Sequence, residues 1–559
     1  MLDIATWSYG EWAALAASVV LLAFLVGGAW AITRPQEEIL GHPKGLYMLF
    51  FAEMWERFSF YGMRALLTLY LTKHWLYSDG SANLIYGAYG SLVYITPVLG
   101  GWLADRYLGQ RKAVLFGAIL LTLGHLFMAF EGDGSGFEND PTLNVFWLAL
   151  AFIIVGSGFL KANISVLVGQ LYPRTDIRRD SAYTIFYMGI NLGAATGVLI
   201  AAFLGETVSW ALGFGLAGVG MLLGLVVFII GKPLLRGNGE PPVPAKLKEK
   251  VAGINLEWLL YGVGLLGVGM IWWLIQYQSL VGGLLLISGI ILLGYVLFES
   301  FKLDKEARDR VYAMIFLILL QPLFWGLFEQ AGGSVNLFTD RHVDRGAIPT
   351  TFFQSVNPIY IILLGPLFAM LWQWLAQIGK EPSTPAKMGL GIAQMGLAFI
   401  VMVWGAETFS TTNDAGAIMM PVLFLFIFYL LSTTGELCLS PVGLSAMNRL
   451  SVKHMASLMM AAFFFGTAGG QFVAGFMGSL MGEGEGGNMT REGALNAYWT
   501  MGLVALVVGL VVVVISPLVK RLMHLSTLKD DTVDDDLLGQ AEVGDPQTAG
   551  IRPATGPAE

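Results

Sequence analysis

LYMLFFAEMWERFSFYGMRALLTLYLTKHW, residues 46–75, decides the fold. The run is long enough to cross about 30 Å of hydrocarbon, yet its middle carries Glu53, Glu56, Arg57 and Arg64. A charge inside a span costs about 2.5–3.5 kcal/mol at mid-bilayer on insertion scales. At about 100° per residue the four fall within an arc of about 100°, so one helix face bears two acids and two bases. Two readings stand: a structural ion-pair ladder that orients a bundle, or the wall of an aqueous cavity that binds substrate or protons. The second is favoured, because a purely structural interface is cheaper in Gly, Ala and Ser.

The rest of the chain repeats such spans with far fewer charges in them. Of 559 residues, 55% are hydrophobic and only 13% charged, and mean hydropathy is +0.66. A soluble chain carries about 25% charged residues. Apolar runs near 11–33, 46–75, 83–104, 112–130, 144–170, 182–204, 209–231, 257–277, 280–300, 311–335, 353–378, 387–407, 417–447, 454–480 and 495–519 give fifteen candidate spans. The expected fold is therefore an all-α polytopic membrane protein.

Lys and Arg set the orientation. Arg106, Arg111 and Lys112, then Arg174 to Arg179, Lys232 to Lys250, Lys302 to Arg310, Lys380 and Lys387, and Arg449 and Lys453 fill alternate loops. These loops and the C-terminus are expected in the cytoplasm and the N-terminus outside; Arg341, Arg345 and Arg491 are exceptions. Run 11–33 lacks a basic flank before it and has Arg34 and Lys44 after it, which favours a retained anchor over a signal peptide. Loop lengths suggest an extra first helix in 1–44, a six-helix bundle in 45–232, a linker with a helical hairpin in 233–310, a second six-helix bundle in 311–524, and an acidic disordered tail in 525–559. Two such halves around a midplane site are a transporter layout.

Three more charges lie deep in spans: Lys161 in GSGFLKANIS, Glu329 in QPLFWGLFEQAGG and Glu436 in LSTTGELCLSPVG. Lys161 is in the first half and both acids in the second, so a Lys161–Glu329 pair is the expected link, either a static bridge or one that breaks on protonation. Asn191, Asn357, Tyr61, Tyr94 and Gln330 add polar groups, each of which, taken singly, reads as packing or helix–helix hydrogen bonding ahead of ligand contact, and His125 reads as structural. A single cysteine, Cys438, excludes a disulfide framework and a multi-Cys metal site. There is no P-loop and no G-x-S-x-G, which argues against ATP-driven pumping and hydrolysis. The net charge of −8 gives no reason for a nucleic-acid partner. No cofactor or metal is expected.

GGWLADRYLGQRK at 100–112 resembles the loop between the second and third helices of the major facilitator superfamily. EMWERFSFYG at 53–62 resembles the E-x-x-E-R-F-x-Y-Y-G signature of the proton-dependent oligopeptide transporters. GSGFLKANIS, FYMGINLGA, FFQSVNP and GELCLSPVGLS are similar to further blocks of that family, in order, and the hairpin is similar to that of bacterial members. The resemblance covers about 45–525 and implies a monomer in the bacterial inner (plasma) membrane, importing di- and tripeptides with protons by alternating access. It implies a peptide carboxylate on Arg57 and Lys161, the amino terminus on Glu436, and hydrogen bonds from Asn191 and Asn357. Tyr61, Tyr94 and Ser440 would line the pocket. Glu53, Glu56, Arg64 and Glu329 would carry or relay protons, and Asp105, Arg106 and Arg111 would form a cytoplasmic latch. Two positions depart from the pattern: Phe60 replaces the first signature Tyr, and Phe463 stands where members often have Trp. The alternative is the same fold carrying an amino acid, nitrate or a peptide-like drug; a non-transporting scaffold has no need for three buried charges.

Overall fold

The computed structural model describes residues 9–33, 37–132, 140–173, 176, 178–251, 253–452, 455–482 and 487–525. The acidic tail expected from 525 onward falls outside the described residues apart from Leu525. The first bundle comprises α2 (Lys44–Lys73), α3 (Asp79–Leu103), α4 (Gln110–Met128), α5 (Pro141–Gln170), α6 (Arg178–Gly197), α7 (Phe203–Thr207) and α8 (Trp210–Ile230), preceded by α1 (Tyr9–Thr33). A π-helical stretch carries α3 on to Leu108, and another joins α6 to α7. The short α9 (Pro244–Leu247) lies in the linker, ahead of the hairpin α10 (Leu256–Leu274) and α11 (Gln278–Ser300). Then follow α12 (Lys305–Phe328), α13 (Ser334–His342), α14 (Val356–Gln377), α15 (Thr384–Thr408), α16 (Val422–Leu450), α17 (Ala456–Ser479) and α18 (Arg491–Leu522).

Local chemistry sets several of these boundaries. Ser78, Asp140 and Asp304 cap α3, α5 and α12 by accepting from Ser81 N, Thr142 N and Ala307 N, and Pro141 opens α5. Among the described residues, thirteen helices are long and apolar enough to cross a membrane by length and composition. The two remaining expected spans differ: α1 counts only as a shorter apolar helix over Glu11–Ala23, and α2 carries the four charges. Glycines allow helix backbones to touch, as small residues do in membranes. A Cβ at Gly193 of α6 would strike the Met54 carbonyl of α2, and one at Gly100 of α3 would strike the Gly158 carbonyl of α5.

Two large apolar cores result. One runs over residues 46–285 and takes in the hairpin; the other runs over 296–523, with Leu69 of α2 inserted in it. Helix α1 lays Ala17 and Leu21 on a small third cluster with Phe50, Trp55 and Ile200.

Three span readings are corrected. The expected run 311–335 breaks at a 3-10 turn over Glu329–Ala331, and the glycines Gly332 and Gly333 precede α13. Run 353–378 opens as a 3-10 turn over Thr350–Ser355. Run 417–447 starts as a strand, since Ile418–Pro421 pairs with Thr411–Thr412 on one side and Val343–Asp344 on the other.

The exceptional arginines are all engaged. Arg341 makes a two-pronged pair with Asp79 at 2.6 and 2.8 Å, Arg345 reaches Asp340 at 3.3 Å, and Arg491 donates to the Ala406 carbonyl. Lys73–Asp340 at 2.7 Å and Glu206, which accepts from Thr350 N and Thr351 N, join the halves on this same face, opposite the basic loops.

Candidate functional site

Helix α2 buries its charged face against the rest of the bundle: Glu53, Glu56 and Arg57 are all buried. Arg57 Nε lies 2.7 Å from Glu53 Oε1, one turn back, and 3.1 Å from Glu56 Oε2. Glu53 Oε2 and both Glu56 oxygens accept no hydrogen bond among the described residues. Lys161 on α5 makes no ion pair among the described residues; its ammonium sits 3.7 Å from the centre of the Phe60 ring and 5.6 Å from that of Tyr94. A desolvated cation over an aromatic face gains about 2 kcal/mol, so Phe60 supplies a ring face where the resemblance would place a phenol.

The expected Lys161–Glu329 link is absent, and Arg64 takes its place. Arg64 stands on α2 two turns beyond Arg57, and its fork reaches across to the helix break at Glu329. Its Nε donates to the Tyr86 hydroxyl at 2.7 Å, while that hydroxyl donates to Glu329 Oε2 at 3.2 Å. Gln471 Nε2 of α17 donates to Glu329 Oε1 at 2.9 Å. Glu329 thus holds together α2, α3, α12 and α17, and a guanidinium that bonds both a phenol and a carboxylate suits the corner better than an ammonium.

In the second half, Asn357 Nδ2 donates to Glu436 Oε2 at 2.9 Å and to Thr433 Oγ1 at 3.0 Å. Asn191 donates to the Tyr187 carbonyl of its own helix. Ser440 is buried one turn after Glu436, and Phe463 packs on Phe464 with centroids 6.0 Å apart. Gln330 Nε2 donates to the Gly326 carbonyl one turn back and to the Ala474 carbonyl of α17, tying the helix break to that helix. His125 is buried with neither ring nitrogen bonded among the described residues.

Between the halves lies a cavity of about 70 Å³. Tyr61, Arg64, Tyr94, Asn191, Glu329 and Asn357 line it, all anticipated from the sequence. Trp325, Phe328, Gln354, Tyr429 and Ser432 also line it and were missed, as were Tyr86 and Gln471 behind Glu329. Arg57, Lys161, Glu436, Ser440, Phe60 and Phe463 are not on its wall. The space suits a few waters.

At the basic-loop face, Asp105 accepts from Gln110 at 2.7 Å. Arg111 is clasped to Glu240 of the linker at 2.6 and 2.8 Å, which holds the Glu240 carboxyl below the usual carboxylate range. Arg106 stacks on Trp102 and Tyr107, each 5.8 Å away.

The model of the POT family matches residues 111–492. A Bacillus subtilis (strain 168) protein described as an uncharacterized transporter, YclF, is 36% identical over 88% of this chain and 96% of its own length. The peptide transporter YePEPT of Yersinia enterocolitica is 36% identical over 78% of this chain and 88% of its own. Among solved structures, a mutant of a peptide transporter POT in complex with alafosfalin superposes with a TM-score of 0.76 at 34% identity, covering 89% of this chain and 99% of that one. A POT family transporter in complex with 5-aminolevulinic acid gives a TM-score of 0.73 at 30% identity, over 88% and 99%. With charges from both halves converging at one interface, and relatives matched over most of their length, this chain belongs to the POT family of multi-pass membrane transporters.

Proposed function

We propose that the chain is a proton-coupled symporter that imports di- and tripeptides by alternating access. The observation that carries this reading is Arg64–Glu329, an ion pair across the halves with its acid buried and its base half-buried, at the wall of a small cavity. The spans also hold Glu53, Glu56 and Glu436 with Arg57 and Lys161, giving with that pair four carboxyls and three cations, all but Arg64 buried. Fully ionised, the set carries one excess negative charge. A zwitterionic peptide leaves that excess unchanged, whereas one proton cancels it, and an uncompensated charge in a low dielectric is costly.

In this reading Arg57 and Lys161 hold the peptide carboxylate and Glu436 its amino terminus. Asn191 and Asn357 bond its polar groups, and Tyr61, Tyr94, Ser440, Phe60 and Phe463 shape the pocket. Glu53, Glu56, Arg64 and Glu329 carry the proton. Because the halves are laced on the face opposite the basic loops, the site opens first toward the Asp105–Arg106–Arg111 latch. We place that face in the cytoplasm and the N-terminus outside. The bundles span 45–232 and 311–524, and the unit is a monomer in the inner membrane.

Proteoliposomes holding a pH dye test the coupling. Dialanine added outside should acidify the lumen, and Glu329→Gln should abolish the signal. Dialanine entry without acidification would leave a peptide carrier and refute proton coupling.

A further inference from the structure

A second cavity, about 920 Å³, runs between the hairpin and the cores, with α3, α5, α10, α11 and α17 as its walls. Leu99, Leu103, Phe159, Met270, Leu285 and Phe465 are typical of its lining. Thr96 and Ser288 also line it, but the Thr96 hydroxyl is already spent on the Leu92 and Ile154 carbonyls. The cleft opens to the outside of the bundle, with Leu99, Leu266 and Met270 on its walls exposed. Every wall is a helix of spanning length, so the filler comes from the bilayer. The cleft is many times the volume that one water needs, and its apolar lining suits acyl chains.

The rim supplies a charge. Ile95, Leu99 and Leu103 follow the cleft along α3, and Arg106 comes next on the same helix side. Arg106 is exposed, makes no ion pair among the described residues, and stacks on Trp102 and Tyr107. Aromatic rings and a cation at the end of a span mark headgroup depth.

We propose that this cleft is a binding site for an anionic phospholipid, with its acyl chains between the hairpin and α3, α5 and α17 and its phosphate on Arg106. Gly267 offers a clean test: it lines the cleft, and a Cβ there meets nothing within 4 Å. Gly267→Phe therefore places a ring in the cleft from a position where the added Cβ is unobstructed.

The assay is native mass spectrometry of the full chain titrated with palmitoyl-oleoyl phosphatidylglycerol in detergent. Wild type should retain one phosphatidylglycerol after loosely bound lipid is gone. Gly267→Phe, with unchanged circular dichroism, should lower that retention by roughly tenfold, as displacing two buried methylenes would. Arg106→Gln should bind phosphatidylglycerol no better than phosphatidylcholine. If Gly267→Phe does not fold, Ser288→Phe narrows the same cleft from α11. Retention unaffected by the plug, or an unaltered preference for phosphatidylglycerol in Arg106→Gln, overturns the proposal. So does a dimer that forms on delipidation and is blocked by the plug, which would assign the cleft to a second copy of the chain.

Discussion

Gly87→Ala tests whether the seam between α3 and α17 is the closed gate that alternating access requires. Gly87 faces backbone of the other half: an added Cβ would lie 2.8 Å from the Gln471 carbonyl oxygen, 2.8 Å from Gly475 Cα and 2.9 Å from Gly475 N. None of these atoms can yield as a flexible side chain would. Overpacking of this kind costs about 1–3 kcal/mol, incurred only while the seam is shut. Alanine also favours the helix over glycine by about 1 kcal/mol, but α3 is helical in either state, so that gain cancels. The seam-open population should therefore rise by about 5- to 150-fold. Spin labels at Ser81→Cys and Leu480→Cys, both exposed at the seam's outer end, read it as a longer distance component, with the buried Cys438 replaced in the background. Gly262→Ala is the control, since its Cβ would meet nothing within 4 Å. An unchanged distance distribution in Gly87→Ala would refute the gate.

Glu329→Gln and Lys161→Ala should each abolish gradient-driven uptake in proteoliposomes; unchanged accumulation in either removes that residue from the coupling scheme. Glu436→Ala should weaken competition by free-amine dipeptides at least tenfold more than by N-acetylated ones, because it deletes the carboxylate that Asn357 now holds; equal losses contradict the amino-terminus assignment. The Arg111–Glu240 clasp should be pH-dependent. Arg111 depresses the Glu240 carboxyl, so its stabilisation is complete above the ordinary Glu range and is lost as pH falls through the lowered value. With Glu240 38% exposed, screening keeps the gain below about 1 kcal/mol. The wild-type lead in melting temperature over Glu240→Gln should be present at pH 7 and vanish in acid; a lead that persists there is not electrostatic.

Much of this was legible in the chain. Period and length alone place Glu53, Glu56, Arg57 and Arg64 on one buried face, because the cost of burying charge forces them together. What periodicity could not give is which helices meet. Choosing Arg64 over Lys161 as the partner of Glu329 depends on the rotation of α2 and α5, and on Tyr86 and Gln471 filling the remaining valences of the carboxylate. A Tyr and a Gln in apolar helices give no such signal. The break at Glu329 had one, the Gly332-Gly333 pair, which reads as a helix end once it is weighed against the long apolar run. The strand at Ile418–Pro421 had less, since its pairing with Val343–Asp344 joins segments far apart in the chain. The arginines that broke the loop-charge rule, Arg341 and Arg345, did so because buried or half-buried acids claim them.

The central claim is that a proton gradient drives peptide accumulation through the buried charges. Uptake of labelled dialanine into proteoliposomes under an inward proton gradient, with and without a protonophore, measures this directly. The account predicts accumulation above equilibrium that collapses with the protonophore. Folded, correctly inserted protein that takes up no dialanine, or takes it up only to equilibrium with the gradient intact, would contradict it.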